Sequence, residues 1–239
     1  MTAAATTVRD IALEQPASIR VFEKFGIDYC CGGRKPLAQA CQERSLDVHA
    51  VLAAIEGAAH GADEPSAGWS SASLEALCDH IVHTHHAYVR REIPRLWQLA
   101  LKVVARHGDT HPELVNIQQL IRGAGDDLIR HLGKEEQILF PSIVNMERNL
   151  STCGPRSLGC FGSVRNPIAV MMVEHDLAGD ALAQIRQLSR DFTPPEGACP
   201  TYVAFYRSLS EFEHDLHRHV HLENNILFPR AIEMDESCG

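Results

Sequence analysis

Tryptophan and tyrosine are scarce in this 239-residue chain, at 2 and 4 residues. Long apolar runs are absent as well. The longest, six residues at 168–173 and again at 50–55, fall far short of the roughly 20 residues a membrane helix needs, so no membrane span is expected. The opening MTAAATTVRD has no apolar h-region, so no secretory leader is expected, and a reducing cytoplasm is the default location. A basic excess is also missing. Lys and Arg total 22 against 31 Asp and Glu, a formal charge of −9, which argues against binding a phosphate backbone. The eight cysteines include no paired C-x2-C motifs, so a zinc ribbon or an all-cysteine cluster site has no support. No nucleotide or flavin motif occurs, so any electrons come from outside the chain.

Histidine is what the chain has in excess. There are 14, with one group between His80 and His86 and another between His214 and His221. Imidazole is the commonest protein metal ligand, but a count decides nothing until helix phase is known.

Gly, Pro and Ser concentrate at 57–73. The chain therefore divides into a small unit at 1–60, a linker at 61–73 and a larger unit at 74–239. In the small unit, Pro16 suits a first helical position, Ile19, Phe22 and Phe25 recur at threes, and Gly26 suits a stop. A second helix is expected over 46–59, with Val48, Leu52 and Ile55 on one side. The larger unit shows four long helical patterns, over about 73–107, 112–146, 167–190 and 200–232, with Ser73 a plausible first cap. Near-heptad spacing predicts an all-α fold, an up-down-up-down four-helix bundle beside a small helical N-terminal domain.

Polar residues interrupt these apolar stripes. His86 follows Val82 and precedes Val89 on the first. His131 and Glu135 lie between Leu128 and Ile138 on the second, in a stripe that runs on to Ser142. His175 falls between Met171 and Ala178 on the third, and His219 and Glu223 between Leu216 and Ile226 on the fourth. A single inward histidine is usually a satisfied core residue. Four, with two carboxylates that are poor core residues without partners, need another explanation. The second and fourth helices also share a frame: HLGKEEQILFP at 131–141 and HVHLENNILFP at 219–229. A spacing of four puts His and Glu of each frame on one helix face, so two such pairs can converge. An internal hydrogen bond explains one pair but not two with two further inward histidines.

Metal binding accounts for all six. Imidazole and carboxylate together suit iron, manganese or zinc, and bundle cores of this kind hold two-metal carboxylate sites. Two imidazoles per metal and two bridging carboxylates leave positions for an oxo or hydroxo bridge, or for O2 or NO. His85, His217, His221, His80, His214, His107 and His111 fall off the stripes or at helix ends. His83, three residues before His86, stays open.

The segments DYCCGG (28–33), HHAYVRREIPRL (85–96), HLGKEEQILFP, EHDLAG (174–179) and HVHLENNILFP resemble the repair-of-iron-centres family over nearly the whole chain. These are bacterial hemerythrin-like di-iron proteins with an N-terminal ScdA-type domain, linked to repair of iron–sulfur clusters damaged by nitric oxide or oxidants. The resemblance implies a non-haem di-iron site, oxo- or hydroxo-bridged, held by His86, His131, His175 and His219 with Glu135 and Glu223 bridging. His86 rather than His85 matches in its distance to Pro94. Gly179 stands where an oxygen-carrying hemerythrin would place a further histidine, which counts against a carrier. The implied partners are damaged iron–sulfur proteins, with NO or O2 as small ligands; a homodimer stays open. An O2 or NO sensor and an NO-reducing redox enzyme are the competing functions.

Cys30 and Cys31 are candidate functional thiols, either a redox pair or a transient acceptor of iron or nitrosyl; a tight turn is the plain alternative. Cys153 and Cys160, in the Gly-rich stretch between helices two and three, read as incidental thiols of a turn. Cys41, Cys78, Cys199 and Cys238 read as packing or surface residues.

Overall fold

The computed structural model describes residues 3–58, 68–152 and 162–237. The expected linker is thus described only from Gly68, and Cys153, Cys160 and Cys238 lie outside the described residues. The fold is all-α: among the described residues the only β pairing is an isolated bridge between Thr7 and Pro36. No helix among them is long and apolar enough to cross a membrane. Contacts divide the chain into two units, one of residues up to Ser73 with His217–Arg230, the other of Leu74–Leu216 with the residues from Ala231 on.

In the first unit, α1 (Val8–Glu14), α2 (Ser18–Phe25), α3 (Leu37–Glu43) and α4 (Val48–Ala58) surround a core that includes Ile11, Phe22, Tyr29 and Leu37. Thr7 caps α1 by accepting the Asp10 N–H at 3.1 Å. Gly26 ends α2 with φ 65°, and Ile27 N–H reaches back to the Phe22 carbonyl at 2.8 Å, the closing pattern that favours glycine. A β-carbon at Gly26 would also meet the Arg44 guanidinium at 2.6 Å. The short helices α1 and α3, of seven residues each, carry too few turns to show a period in the sequence. On α4 the most buried residues are Val51 and Ile55, with Val48 and Leu52 half-buried beside them.

The same unit takes in part of the last long helix because polar contacts bind the two stretches. Arg218 donates twice to Glu23, at 2.7 and 2.8 Å. Asn225 Nδ2 donates to the Tyr29 carbonyl at 3.1 Å, and Arg9 reaches the Asn225 carbonyl at 3.5 Å. Arg230 donates to the Trp69 and Ala72 carbonyls at 3.0 and 2.6 Å.

The second unit is built from long helices. The first comprises α5 (Leu74–His80), a π turn (Ile81–His86) and α6 (Ala87–His107). The second comprises α7 (Glu113–Lys134), a π turn (Glu135–Leu139) and α8 (Phe140–Thr152). Then come α9 (Arg165–Leu188) and α10 (Pro200–His221); the chain continues through a π turn (Leu222–Leu227) into α11 (Phe228–Ser237), with His217–Arg230 counted in the first unit. α5 meets α8 while α6 meets α7, so these two run antiparallel. His85 lies by Asp215 and His107 by Cys199, which makes α6 and α10 antiparallel too. The first turn of α5 is capped from α8: Glu147 accepts the Leu74 and Glu75 N–H groups at 2.8 and 2.9 Å.

The third stripe, from Ile168 through Ile185, is buried as expected. The second departs from expectation after Glu135. Ile138 is 48% exposed, while Leu139, Phe140, Ile143 and Met146 are buried. The π turn is the cause: its i→i+5 bonding adds a residue to the turn and rotates everything after it.

Candidate metal centre

Among the described residues each π turn coincides with expected ligands: His86 ends the first, Glu135 begins the second and Glu223 lies in the third. Such turns are rare and cluster at functional sites.

The second unit brings four of the six expected residues together. Glu135, fully buried, reaches in both directions: Oε2 lies 3.4 Å from His86 Nε2 and Oε1 lies 3.3 Å from His131 Nε2. His175 Nε2 faces His131 Nε2 at 3.0 Å. The ligand atoms of His131, Glu135 and His175 all lie within 4.8 Å of one another. In the first unit His219 Nε2 lies 3.0 Å from Glu223 Oε1, both residues buried.

The opposite ring nitrogens show which way the imidazoles are turned. His86 Nδ1 lies 2.8 Å from Glu136 Oε1, and His131 Nδ1 lies 2.8 Å from Glu174 Oε2. Burial pushes the Glu136 carboxyl up, but Arg90 and His86 outweigh it and hold its pKa below the usual value. Burial likewise acts on Glu174, and Lys134 and His131 outweigh it. An ionised carboxylate at Nδ1 favours the tautomer with its proton there, leaving the Nε2 lone pair directed inward. Stacking of the His86 ring on Phe140, with centroids 5.6 Å apart, fixes its plane. The sequence pattern does not mark Glu136 and Glu174; the signal it offers is a carboxylate adjoining an inward-facing stripe residue, in KEEQ and VEHD.

These donors fit a cation. Neutral imidazole nitrogens and a carboxylate sharing its two oxygens between them are the ligand chemistry of non-haem iron, manganese or zinc. An open groove of about 880 Å³ between α7 and α9 has His131, Lys134, Glu174 and Leu177 in its lining.

The other histidines lie elsewhere. His83 is exposed, with Nδ1 2.8 Å from the Asp79 carbonyl. His85 pairs with Asp215 at 3.0 Å. His217 meets the Tyr29 ring edge-on. His221 is bonded to Asn225 at 2.9 Å, and burial pulls its pKa down to about 4.

Cys30 and Cys31 sit on a loop organised by Asp28, which accepts N–H groups from Cys30, Cys31 and Gly32 at 2.9, 3.0 and 2.8 Å. Burial pushes the Asp28 carboxyl up, but the Gly32 N–H, the His217 charge and Cys30 bring its pKa below the usual value. Both glycines are required by close approach: a β-carbon on Gly33 would lie 2.6 Å from the Tyr29 carbonyl, and one on Gly32 2.9 Å from Asp28. The two sulfurs are 3.7 Å apart and unbridged. The contact with Cys31, burial and the Asp28 charge push the Cys30 thiol well up, so it is held protonated.

A helical bundle with inward His and Glu donors on π turns defines a cation-binding protein of the hemerythrin type. Residues 78–231 match the family described as Hemerythrin HHE cation binding domain, and residues 4–59 match ScdA_N, a domain of unknown function. The chain is 37% identical over 224 residues to "Iron-sulfur cluster repair protein YtfE" of Escherichia coli O157:H7, covering 93% of this chain and 94% of that one. It is 36% identical over 225 residues to the protein of the same name from Yersinia pseudotuberculosis serotype O:1b, with the same coverage. The chain therefore belongs to the YtfE family of hemerythrin-type proteins.

Proposed function

We propose that this chain is a di-iron protein that helps restore damaged iron–sulfur clusters, with the role named for its relatives. The carrying observation is Glu135, a fully buried carboxylate shared between His86 and His131. His86, His131, His175 and His219 would hold the two irons together with the carboxylates of Glu135 and Glu223. The repeated frame supports the last pair: His219 and Glu223 have the spacing, burial and π turn of His131 and Glu135. The HHE family model also spans both frames. The boundaries 1–60, 61–73 and 74–239 suit this assignment, as do a cytoplasmic location and NO or O2 as small ligands.

When bound, the iron pair supplies redox chemistry and labile metal. The protein's own residues do the rest. Glu136 and Glu174 hold the protons on His86 Nδ1 and His131 Nδ1 and keep Nε2 turned inward. Arg90 and Lys134 keep those two carboxylates charged. Asp28 fixes the loop that presents Cys30 and Cys31, the thiols assigned to receive or guide iron. The test is recovery of an NO-damaged iron–sulfur enzyme with iron-loaded protein added. Faster recovery supports the proposal. An iron-loaded protein that never accelerates recovery contradicts the repair role while leaving the metal site intact.

A further inference from the structure

The far end of the second unit holds a thiol–imidazole pair with no part in the iron site. His107 lies 21 residues along the helix from His86, roughly 30 Å at 1.5 Å per residue. Cys199 Sγ lies 3.2 Å from His107 Nε2, and both residues are half-buried. The Cys199 carbonyl accepts the Val203 N–H at 3.1 Å, so Cys199 is the residue from which α10 departs. The first-turn N–H groups of that helix favour negative charge beside it. The His107 ring is held at 5.4 Å from the Tyr202 ring, which His111 meets edge-on at 5.8 Å. His111 Nδ1 is turned to Glu113 at 3.2 Å, so the arrangement is a two-residue dyad. The other described thiols have different surroundings: Cys41 and Cys78 are buried, Cys30 is held protonated, and Cys31 lies with its sulfur 3.7 Å from that of Cys30.

We propose that Cys199 and His107 form a thiol modification site whose substrate class is the hydroperoxides. The thiol proton passes to His107 Nε2 as sulfur attacks the terminal peroxide oxygen. An S–O bond forms as the O–O bond breaks, and the imidazolium returns the proton to the leaving oxygen, releasing alcohol or water. Sulfur is oxidised by two electrons to a sulfenic acid and the hydroperoxide is reduced by two. A nucleophile beside a base within hydrogen-bond reach is the arrangement such a step needs.

The test uses the full-length iron-loaded protein with peptide-mapped labelling. Iodoacetamide, which does not involve iron, measures thiol reactivity, and dimedone traps sulfenic acid after a hydroperoxide pulse. Cys199 is expected to alkylate about tenfold faster than free glutathione at the same pH and to carry the dimedone adduct. His107→Gln should bring Cys199 down to the glutathione rate while leaving Cys31 labelling and the thermal melt unchanged. Glutathione-level reactivity in the native protein, no dimedone adduct on Cys199, or an unchanged Cys199 rate in a folded H107Q would each overturn the proposal. If H107Q does not melt cooperatively, the comparison of native protein with glutathione decides alone.

Discussion

The two His-x3-Glu frames share a spacing, a π turn and the segment ILFP, yet their surroundings differ. Beyond Glu135, Gln137 and Ile138 face solvent, and Glu136 sits between His86 and Arg90. Beyond Glu223, every residue from Asn224 to Phe228 is buried, and Asn225 bonds to Tyr29 and His221. The first frame is supported by charge at its solvent edge. The second is held by a buried network in which Asn225 meets the Tyr29 carbonyl, His221 and the Arg9 guanidinium. Identical His-x3-Glu spacing thus sits in two settings, one beside a carboxylate that turns a histidine and the other tied to the N-terminal stretch.

Removing a ligand should have the largest effect in either frame. His131→Leu and Glu223→Leu are each expected to abolish iron retention through a dialysis that wild type survives, with the circular dichroism of the helices preserved. Equal iron loss from both variants would show that the frames act as one site. Removing the supporting carboxylates comes next. Glu136→Ala and Glu174→Ala should each weaken iron binding about 10–100-fold in a chelator competition. Unchanged affinity in both would show that the Nδ1 contacts do not orient the ligands.

A stability measurement separates the frames themselves. Asn225→Ala leaves the Tyr29 carbonyl without that donor and should cost about 1–3 kcal/mol in urea unfolding. Gln137→Ala, two residues after Glu135 as Asn225 is after Glu223, should stay within about 0.5 kcal/mol because its side chain faces solvent. Equal costs would erase the contrast. The smallest expected effect is that of His217→Asn, which should leave iron content unchanged, since His217 meets Tyr29 and not the ligand group.

Much of this was legible in the chain. Helix phase picked out His86, His131, Glu135, His175, His219 and Glu223, all of which are buried, because a 3.6-residue period leaves core-facing carboxylates conspicuous, but it left His83 open and carried Ser142 on the same stripe. Phase failed at the π turns. A uniform period carried the second stripe from Glu135 to Ile138 and Ser142, whereas the wider turn buries Leu139 and Ile143. Glu136 and Glu174 are hidden for a related reason: each adjoins a stripe residue and so falls off the stripe, and only side-chain geometry shows it reaching an imidazole. The burial of Asn225 depends on Tyr29, nearly two hundred residues away in sequence, and no local pattern carries that information.

The central claim is that two frames and two further histidines hold a pair of irons. Its most direct test is iron content per chain of anaerobically purified protein, measured beside H131L and E223L. The account predicts two irons in the wild type and a near-complete loss in both variants. Full iron occupancy in either variant, or a wild-type protein that binds no iron when supplied with ferrous ion, would contradict it.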